Sequence, residues 1–102
     1  MSDVLERLFA TISARSDAEK SYTASLLAKG VDKCAEKFGE EAVEAIISAV
    51  KGERDGLTGE AADVLYHLLV MLRAADLEFS DVLAELERRE GVSGLEEKAS
   101  RG

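Results

Sequence analysis

The sequence predicts an all-α fold: a small helical bundle of four main helices plus a short one, completed by homodimerisation. The 102 residues include no proline, so no proline interrupts a helical hydrogen-bond ladder. Leu, Ala and Glu dominate, and these side chains lose little conformational freedom in a helix. Apolar residues recur at three- and four-residue intervals, whereas no segment shows a convincing strand pattern. A chain of this length suits one small domain, so we expect residues 1–102 to form a single all-α domain.

The apolar patterns of the first two helices extend over only a few turns each. The first is predicted to begin at Ser2 or Asp3, either of which can cap it, and to end before the polar stretch 14–20. Its main apolar residues follow at four-residue spacing: Val4, Leu8 and Ile12. The second is predicted to open at Ser21 and to stop at Gly30.

The third helix is predicted from Val31 to about Lys51. Its apolar residues define a stripe that we expect to face the core: Val31, Ala35, Phe38, Ala42, Ala45, Ile46 and Ala49. The segment Gly52–Gly59, with three glycines and alternating charge, is predicted to be a loop. Thr58 is then predicted to cap the fourth helix.

The fourth helix is predicted to extend to Ala75 or Asp76. Its segment 64–72 is apolar on almost every side, which is typical of a helix surrounded by protein. The run Tyr66–Leu72 has more apolar surface than one bundle of this size would cover, and this predicts a homodimer.

The last helix is predicted to be capped by Ser80 and to end at Gly91. Residues 92–102 form a tail that we expect to be partly ordered at best. This tail carries Lys98 and Arg101, scarce cations in an acidic chain, and we expect it to bind substrate rather than to pack into the core.

Charge and cysteine content exclude several classes of function. The formal net charge of −8 repels a phosphate backbone, so no nucleic-acid partner is expected. The longest apolar run, Leu68–Leu72, is far too short to span a membrane. The single cysteine, Cys34, cannot form an internal disulfide and is expected to be an inert packing residue, which favours a cytoplasmic location.

Two pairs of carboxylates need a physical explanation. On the third helix, Glu41 and Glu44 lie about 60° apart and border the apolar stripe. On the fourth, Glu60, Asp63 and His67 share one stripe beside an almost wholly apolar surface. Carboxylates in such a place cost several kcal/mol of desolvation unless a cation compensates them. Because an oxygen-only set suits Mg²⁺ or Mn²⁺, the four carboxylates are predicted to be metal ligands.

Other interpretations of the same acids remain open. A solvated helix face with a Lys37–Glu41 ion pair would account for the acids of the third helix. A non-enzymatic acidic interaction module would need only a short amphipathic bundle. A di-iron bundle fits poorly, because it needs Glu-x-x-His and this chain has one histidine, at four-residue spacing from Asp63.

Four segments of the sequence are similar to one enzyme family, and together they cover nearly the whole chain. They are Ser21-Tyr-Thr-Ala-Ser-Leu-Leu-Ala-Lys-Gly30, Glu36-Lys-Phe-Gly-Glu-Glu-Ala-Val-Glu44, Gly59-Glu-Ala-Ala-Asp-Val-Leu-Tyr-His67 and Arg89-Glu-Gly-Val-Ser-Gly-Leu-Glu-Glu-Lys-Ala-Ser-Arg101. The chain resembles phosphoribosyl-ATP pyrophosphohydrolase, a family of the all-α nucleoside triphosphate pyrophosphatase superfamily.

The resemblance implies Mg²⁺-dependent hydrolysis of phosphoribosyl-ATP to phosphoribosyl-AMP and pyrophosphate, the second step of histidine biosynthesis. It implies a homodimer, and it makes Glu41 and Glu44 equal candidates to orient or deprotonate the attacking water. The substrate-binding residues implied are Ser21, Thr23, Lys33, Lys37, His67, Lys98 and Arg101. We expect Tyr22 and Tyr66 to be packing residues rather than base-stacking surfaces. The nearest alternative keeps the chemistry and changes the substrate: a housecleaning pyrophosphatase for non-standard nucleotides.

Overall fold

A computed structural model describes residues 3–15 and 21–91, and within these ranges every regular element is an α-helix. The predicted all-α class is therefore confirmed. The tail 92–102 lies outside the described residues. The helices are α1 Asp3–Arg15, α2 Tyr22–Lys29, α3 Val31–Lys51, α4 Arg54–Ala74 and α5 Phe79–Arg89.

Ser21 and Gly30 bound helix α2 as their residue types predict. The Ser21 hydroxyl oxygen accepts a hydrogen bond from the Ala24 backbone N–H at 2.9 Å, which satisfies a free donor of the first turn. Gly30 has a φ of 94°, a conformation that other residues avoid, and its N–H donates to the Leu27 carbonyl. Helix α3 begins directly after it, so α2 and α3 are joined by one residue.

The turn between α3 and α4 is shorter than the predicted loop Gly52–Gly59. Gly52 adopts the left-handed conformation with a φ of 75°, and α4 already begins at Arg54. Thr58 is thus wrong as a cap: it lies inside the helix and its hydroxyl donates to the Arg54 carbonyl oxygen at 3.1 Å. A glycine inside a helix costs about 1 kcal/mol, and the packing of the first turns of α4 on α3 outweighs that cost at Gly56. A Cβ at Gly56 would lie 3.6 Å from the Ser48 hydroxyl oxygen.

Helix α5 also begins earlier than predicted, at Phe79, so Ser80 is wrong as its cap. The residue in the cap position is Glu78, whose carbonyl accepts a hydrogen bond from the Asp81 N–H at 3.0 Å. The earlier start follows from packing, because the buried Phe79 ring lies 6.1 Å from the Phe9 ring of α1. Beyond the C-terminus of α5, Gly91 has a φ of 79°.

Helix α4 occupies the centre of the bundle. It pairs along its length with α3 and also contacts α1 and α2. Leu69 and Val70 of α4 are completely buried, so the apolar run of α4 is covered largely by its own chain. None of the helices in the described part of the chain is long and apolar enough to cross a membrane. The core cluster consists of Phe9, Ile12, Leu26, Cys34, Leu69, Val70, Leu72 and Phe79.

The face that α3 turns to the core is rotated from the predicted stripe. Val31 and Ile46 were expected to point inward and are exposed, whereas Cys34 and Ser48 are buried. Glu41 lies between these two on the same side of the helix and is partly buried. The side of α3 that points away from α4 is also apolar, and we call it the outer α3 face: Val43, Ile46, Ile47 and Val50.

Leu69→Ala should destabilise the protein by about 2–5 kcal/mol, because the removed atoms leave a cavity in the middle of the bundle. Leu86→Ala is the matched control, since Leu86 is 55% exposed on α5 and should change stability by less than about 0.5 kcal/mol. Urea denaturation followed by circular dichroism measures both. Equal losses for the two variants would contradict the placement of the core.

Candidate active site

Carboxylates from two helices meet at one side of the α3–α4 pair. Glu41 of α3 and Glu60 and Asp63 of α4 each offer an oxygen, and these three oxygens lie within 4.8 Å of one another. Glu44 lies outside this group of three, but its carboxylate interacts with that of Glu60. The structure therefore brings together the four acids that the sequence pattern singled out. We call Glu41, Glu44, Glu60 and Asp63 the carboxylate cluster.

The register of the α3–α4 hairpin explains this meeting. Glu44 and Glu60 each lie eight residues from Gly52, and Glu41 and Asp63 each lie eleven residues from it. Residues at equal distances from a tight turn are level with each other when two helices run antiparallel. Three-residue spacing then keeps both acids of each helix on the same side. A turn as long as the predicted loop would not have imposed this register.

Glu60 is the electrostatically strained member of the carboxylate cluster. Its Oε1 atom is buried and has no hydrogen-bond partner among the described residues. Burial raises the pKa of Glu60, and the negative charges of Glu44, Glu41 and Asp63 raise it further. A buried carboxylate oxygen without a partner is costly, and a cation would relieve both that cost and the repulsion. The donor set is purely oxygen, so it fits a hard divalent ion such as Mg²⁺ or Mn²⁺.

Lys33 and Lys37 of α3 form ion pairs with glutamates other than Glu41. Lys37 Nζ pairs with Glu40 at 3.0 Å, so the Lys37–Glu41 ion pair of the alternative interpretation is not formed. The hydrogen bond to Glu40 is also the main cause of the raised pKa of Lys37. Lys33 Nζ pairs in the same way with Glu36 at 3.1 Å. Both lysines are part-exposed and lie on α3 within two turns of the carboxylate cluster.

His67 follows Asp63 by one turn of α4 and is buried, with 5% of its surface exposed. Its Nδ1 atom has no hydrogen-bond partner among the described residues. Burial lowers the pKa of His67, and Lys37 lowers it further, while the charges of Glu41 and Asp63 act in the opposite direction. The neutral imidazole is therefore the form that burial favours at this position.

Two predicted substrate ligands on α2 already have structural hydrogen bonds. The Thr23 hydroxyl is buried and bonds to the Tyr66 hydroxyl, which favours a role in joining α2 to α4. The Ser21 hydroxyl caps α2 and still has a proton to donate. Lys98 and Arg101 lie outside the described residues.

Cys34, Tyr22 and Tyr66 were each predicted to be packing residues, and the structure shows how far each is buried. Cys34 is confirmed as a packing residue: it is completely buried, and its thiol donates to the Leu26 carbonyl oxygen at 3.3 Å. Burial raises the pKa of this thiol, which keeps it protonated. Tyr66 packs against the core as expected, but Tyr22 is 57% exposed, so the prediction of a packing role was wrong for its ring. Helix α2 has only eight residues, too few for periodicity to show which side a residue at its first position faces.

The chain is similar to one enzyme family over most of its length. The family model described as phosphoribosyl-ATP pyrophosphohydrolase matches residues 4–90. A phosphoribosyl-ATP pyrophosphatase of Dinoroseobacter shibae is 72% identical over 100 residues, which cover 96% of this chain and 98% of the relative. A protein of the same name from Paracoccus denitrificans is 70% identical, and the alignment covers 95% of this chain and 92% of the relative. Another from Roseobacter denitrificans is 69% identical, with 95% of this chain and 94% of the relative covered.

In the metal-free protein, Glu60→Gln should raise the melting temperature at neutral pH. A carboxyl whose pKa rises on folding binds more protons in the folded state than in the unfolded state, so its contribution to stability falls as the pH rises through that interval. The gain over wild type should therefore shrink as the pH is lowered toward 4.5, the ordinary value for glutamate. Calorimetry in the presence of a chelator measures this difference.

Glu87→Gln serves as the control, because it removes the same charge from an exposed position on α5. Its melting temperature at neutral pH should not rise comparably above that of wild type. A Glu60→Gln protein that melts below wild type at neutral pH would contradict the repulsion described for the carboxylate cluster.

Proposed function

The chain belongs to the phosphoribosyl-ATP pyrophosphohydrolase family, and on that premise we propose that its carboxylate cluster is the Mg²⁺ site at which phosphoribosyl-ATP is hydrolysed. The products of this reaction are phosphoribosyl-AMP and pyrophosphate, and the step belongs to histidine biosynthesis. The observation that carries the proposal is the meeting of Glu41, Glu60 and Asp63 oxygens within 4.8 Å, with one Glu60 oxygen buried and unpartnered. Mn²⁺ has the same ligand preferences and would substitute for Mg²⁺.

The cluster would hold the metal against a substrate that the acidic protein otherwise repels. The net charge is −8, and the substrate carries several negative phosphate charges. When bound, the metal supplies the positive charge that stabilises the pyrophosphate leaving group. Glu41, Glu60 and Asp63 would hold it from two helices, and Glu44 lies at the edge of this group.

One carboxylate must also orient the attacking water or accept its proton. Glu41 and Glu44 are the two candidates, and their positions separate them. A carboxylate oxygen of Glu41 belongs to the group of three oxygens that lie within 4.8 Å of one another, whereas Glu44 is exposed and lies beside that group. A carboxylate less engaged by a metal is freer to take a proton, so Glu44 is the better candidate for the general base.

The cations of α3 are suited to the phosphates farther from the cluster. Lys37 and Lys33 lie one and two turns before Glu41, and each would exchange its present glutamate partner for a phosphate oxygen. The Ser21 hydroxyl and His67 border the same region, and Lys98 and Arg101 are also proposed to bind the substrate. Thr23 would act indirectly, by holding α2 in place.

We further propose that a second copy of the chain covers the outer α3 face. The apolar run Tyr66–Leu72 does not account for a dimer, contrary to the sequence prediction, because most of that run is buried within one chain. The outer α3 face supplies another reason. Four apolar side chains at positions 43, 46, 47 and 50 form a stripe along one helix, and Val50 is 82% exposed. The cytoplasmic location remains a prediction from the single cysteine.

Glu44→Gln and Asp63→Asn should each lower kcat for phosphoribosyl-ATP by about 100-fold or more. Glu44→Gln removes the proposed general base, and Asp63→Asn weakens charge stabilisation that develops in the transition state. Neither should destabilise the metal-free protein, since each removes repulsion from the cluster. Wild type should gain thermal stability from millimolar Mg²⁺, and Asp63→Asn should gain less. Product analysis against other nucleoside triphosphates identifies the preferred substrate.

The exposed Glu87→Gln again controls for the loss of one charge and should keep wild-type turnover and Mg²⁺ response. Near-normal turnover in Asp63→Asn would make the metal assignment wrong, and near-normal turnover in Glu44→Gln would make its role as general base wrong. A lowered melting temperature with unchanged turnover would instead indicate a structural ion pair.

Val50→Lys, alone or with Ile46→Lys, should convert a dimer into a monomer, because burying an unpaired lysine in an apolar interface is unfavourable. Sedimentation of the wild-type protein should give roughly twice the chain mass of 11.0 kDa. Val4→Lys, at an exposed position on α1, should leave the dimer intact. A wild-type monomer at micromolar concentration would remove the proposal.

A further inference from the structure

Tyr22 is an exposed aromatic residue with a rigid support. It stands at the first position of α2, and 57% of its surface is open to solvent. Its ring lies 6.2 Å from the buried imidazole of His67, and the two ring planes are perpendicular. Edge-to-face contacts of this kind fix the orientation of both rings. One side of Tyr22 is thus held while the remainder of the ring is free to receive another flat group.

A hydrogen bond next to this contact holds the two helices together. Thr23, the neighbour of Tyr22, bonds through its buried hydroxyl to the hydroxyl of Tyr66. The Tyr66 ring in turn lies 4.9 Å from the His67 ring, at an angle of 79°. Two residues of α2 therefore contact two residues of α4. We call Tyr22, Tyr66 and His67, together with the adjoining Thr23, the aromatic cluster. Its members other than Tyr22 are buried or partly buried.

The aromatic cluster lies beside the carboxylate cluster. His67 follows Asp63 by four residues on α4, a distance of about 6 Å along the helix axis. Lys37 precedes Glu41 by the same interval on α3 and lies near both Tyr22 and Glu41. One side of the molecule thus carries, in order, the exposed ring of Tyr22, Lys37 and the carboxylate cluster.

We propose that Tyr22 is the stacking surface for the purine base of the nucleotide substrate, with His67 as its support. This inference rests on the proposed function, since it assumes that the phosphates bind at the carboxylate cluster and next to Lys37. A nucleotide bound in that way extends its base away from the metal, and Tyr22 is the exposed aromatic ring described on that side. Stacking also suits a chain with a net charge of −8, because the contact requires no positive charge.

The experiment compares Tyr22→Leu with Tyr22→Phe. Tyr22→Phe keeps the aromatic face and is the matched control, so its KM for phosphoribosyl-ATP should stay close to that of wild type. Tyr22→Leu should raise KM by about 10-fold or more, with a much smaller effect on kcat, because the lost contact is remote from the reacting phosphorus. The affinity of the Mg²⁺-loaded enzyme for inorganic tripolyphosphate, which has no base, should be equal in all three proteins.

Tyrosine fluorescence provides a second readout that does not depend on turnover. The chain has two tyrosines and no tryptophan, so its emission comes from Tyr22 and Tyr66. ATP with Mg²⁺ should quench the emission of wild type and leave that of Tyr22→Leu unchanged. Tripolyphosphate should quench neither protein.

The outcomes separate the two proposals. An active wild type with an unchanged KM in Tyr22→Leu would overturn the stacking role and leave the proposed function intact. A wild type that does not hydrolyse phosphoribosyl-ATP but is quenched by ATP would refute the proposed function and support the stacking role. A lower melting temperature in Tyr22→Leu, with the same KM as wild type, would show that Tyr22 packs against protein instead.

Discussion

The α3–α4 hairpin is the constraint on which the rest of the structure depends. Gly52 reverses the chain within two residues, and this tight turn sets which residues of the two helices are level. Its consequence is that two acids eight residues from the turn face each other, as do two acids eleven residues from it. No single helix could place so many carboxylate oxygens within 4.8 Å.

This arrangement is electrostatically unfavourable in the absence of a cation. Glu60 keeps a buried, unpartnered oxygen among three other acids, and such repulsion lowers the stability of the metal-free chain. The buried core around Leu69 and Val70 must offset that cost. The same helix therefore contributes both the most buried part of the core and half of the carboxylate cluster, which is why Glu60 and Asp63 interrupt its mostly apolar sequence.

Helix α2 links the core to the side of the molecule that carries the carboxylate cluster. It is only eight residues long, too short to be stable alone, and depends on its cap, on Gly30 and on the Thr23–Tyr66 hydrogen bond. These contacts place an aromatic ring near the carboxylate cluster without any long loop. The outer α3 face lies on the opposite side of α3 from the core, so a second chain could pack there without displacing either cluster.

The sequence by itself determined the helical class, the caps and bounds of α2 and α3, and the four acids that belong together. Those features depend on local spacing and on the conformations of serine and glycine, which act within a few residues. Tertiary structure alone decided where α4 and α5 begin, which side of α3 is buried, and that Lys37 pairs with Glu40. It also decided that Tyr22 remains exposed. Periodicity gives the angles between side chains on one helix, but only packing against the other helices selects which of those angles points inward.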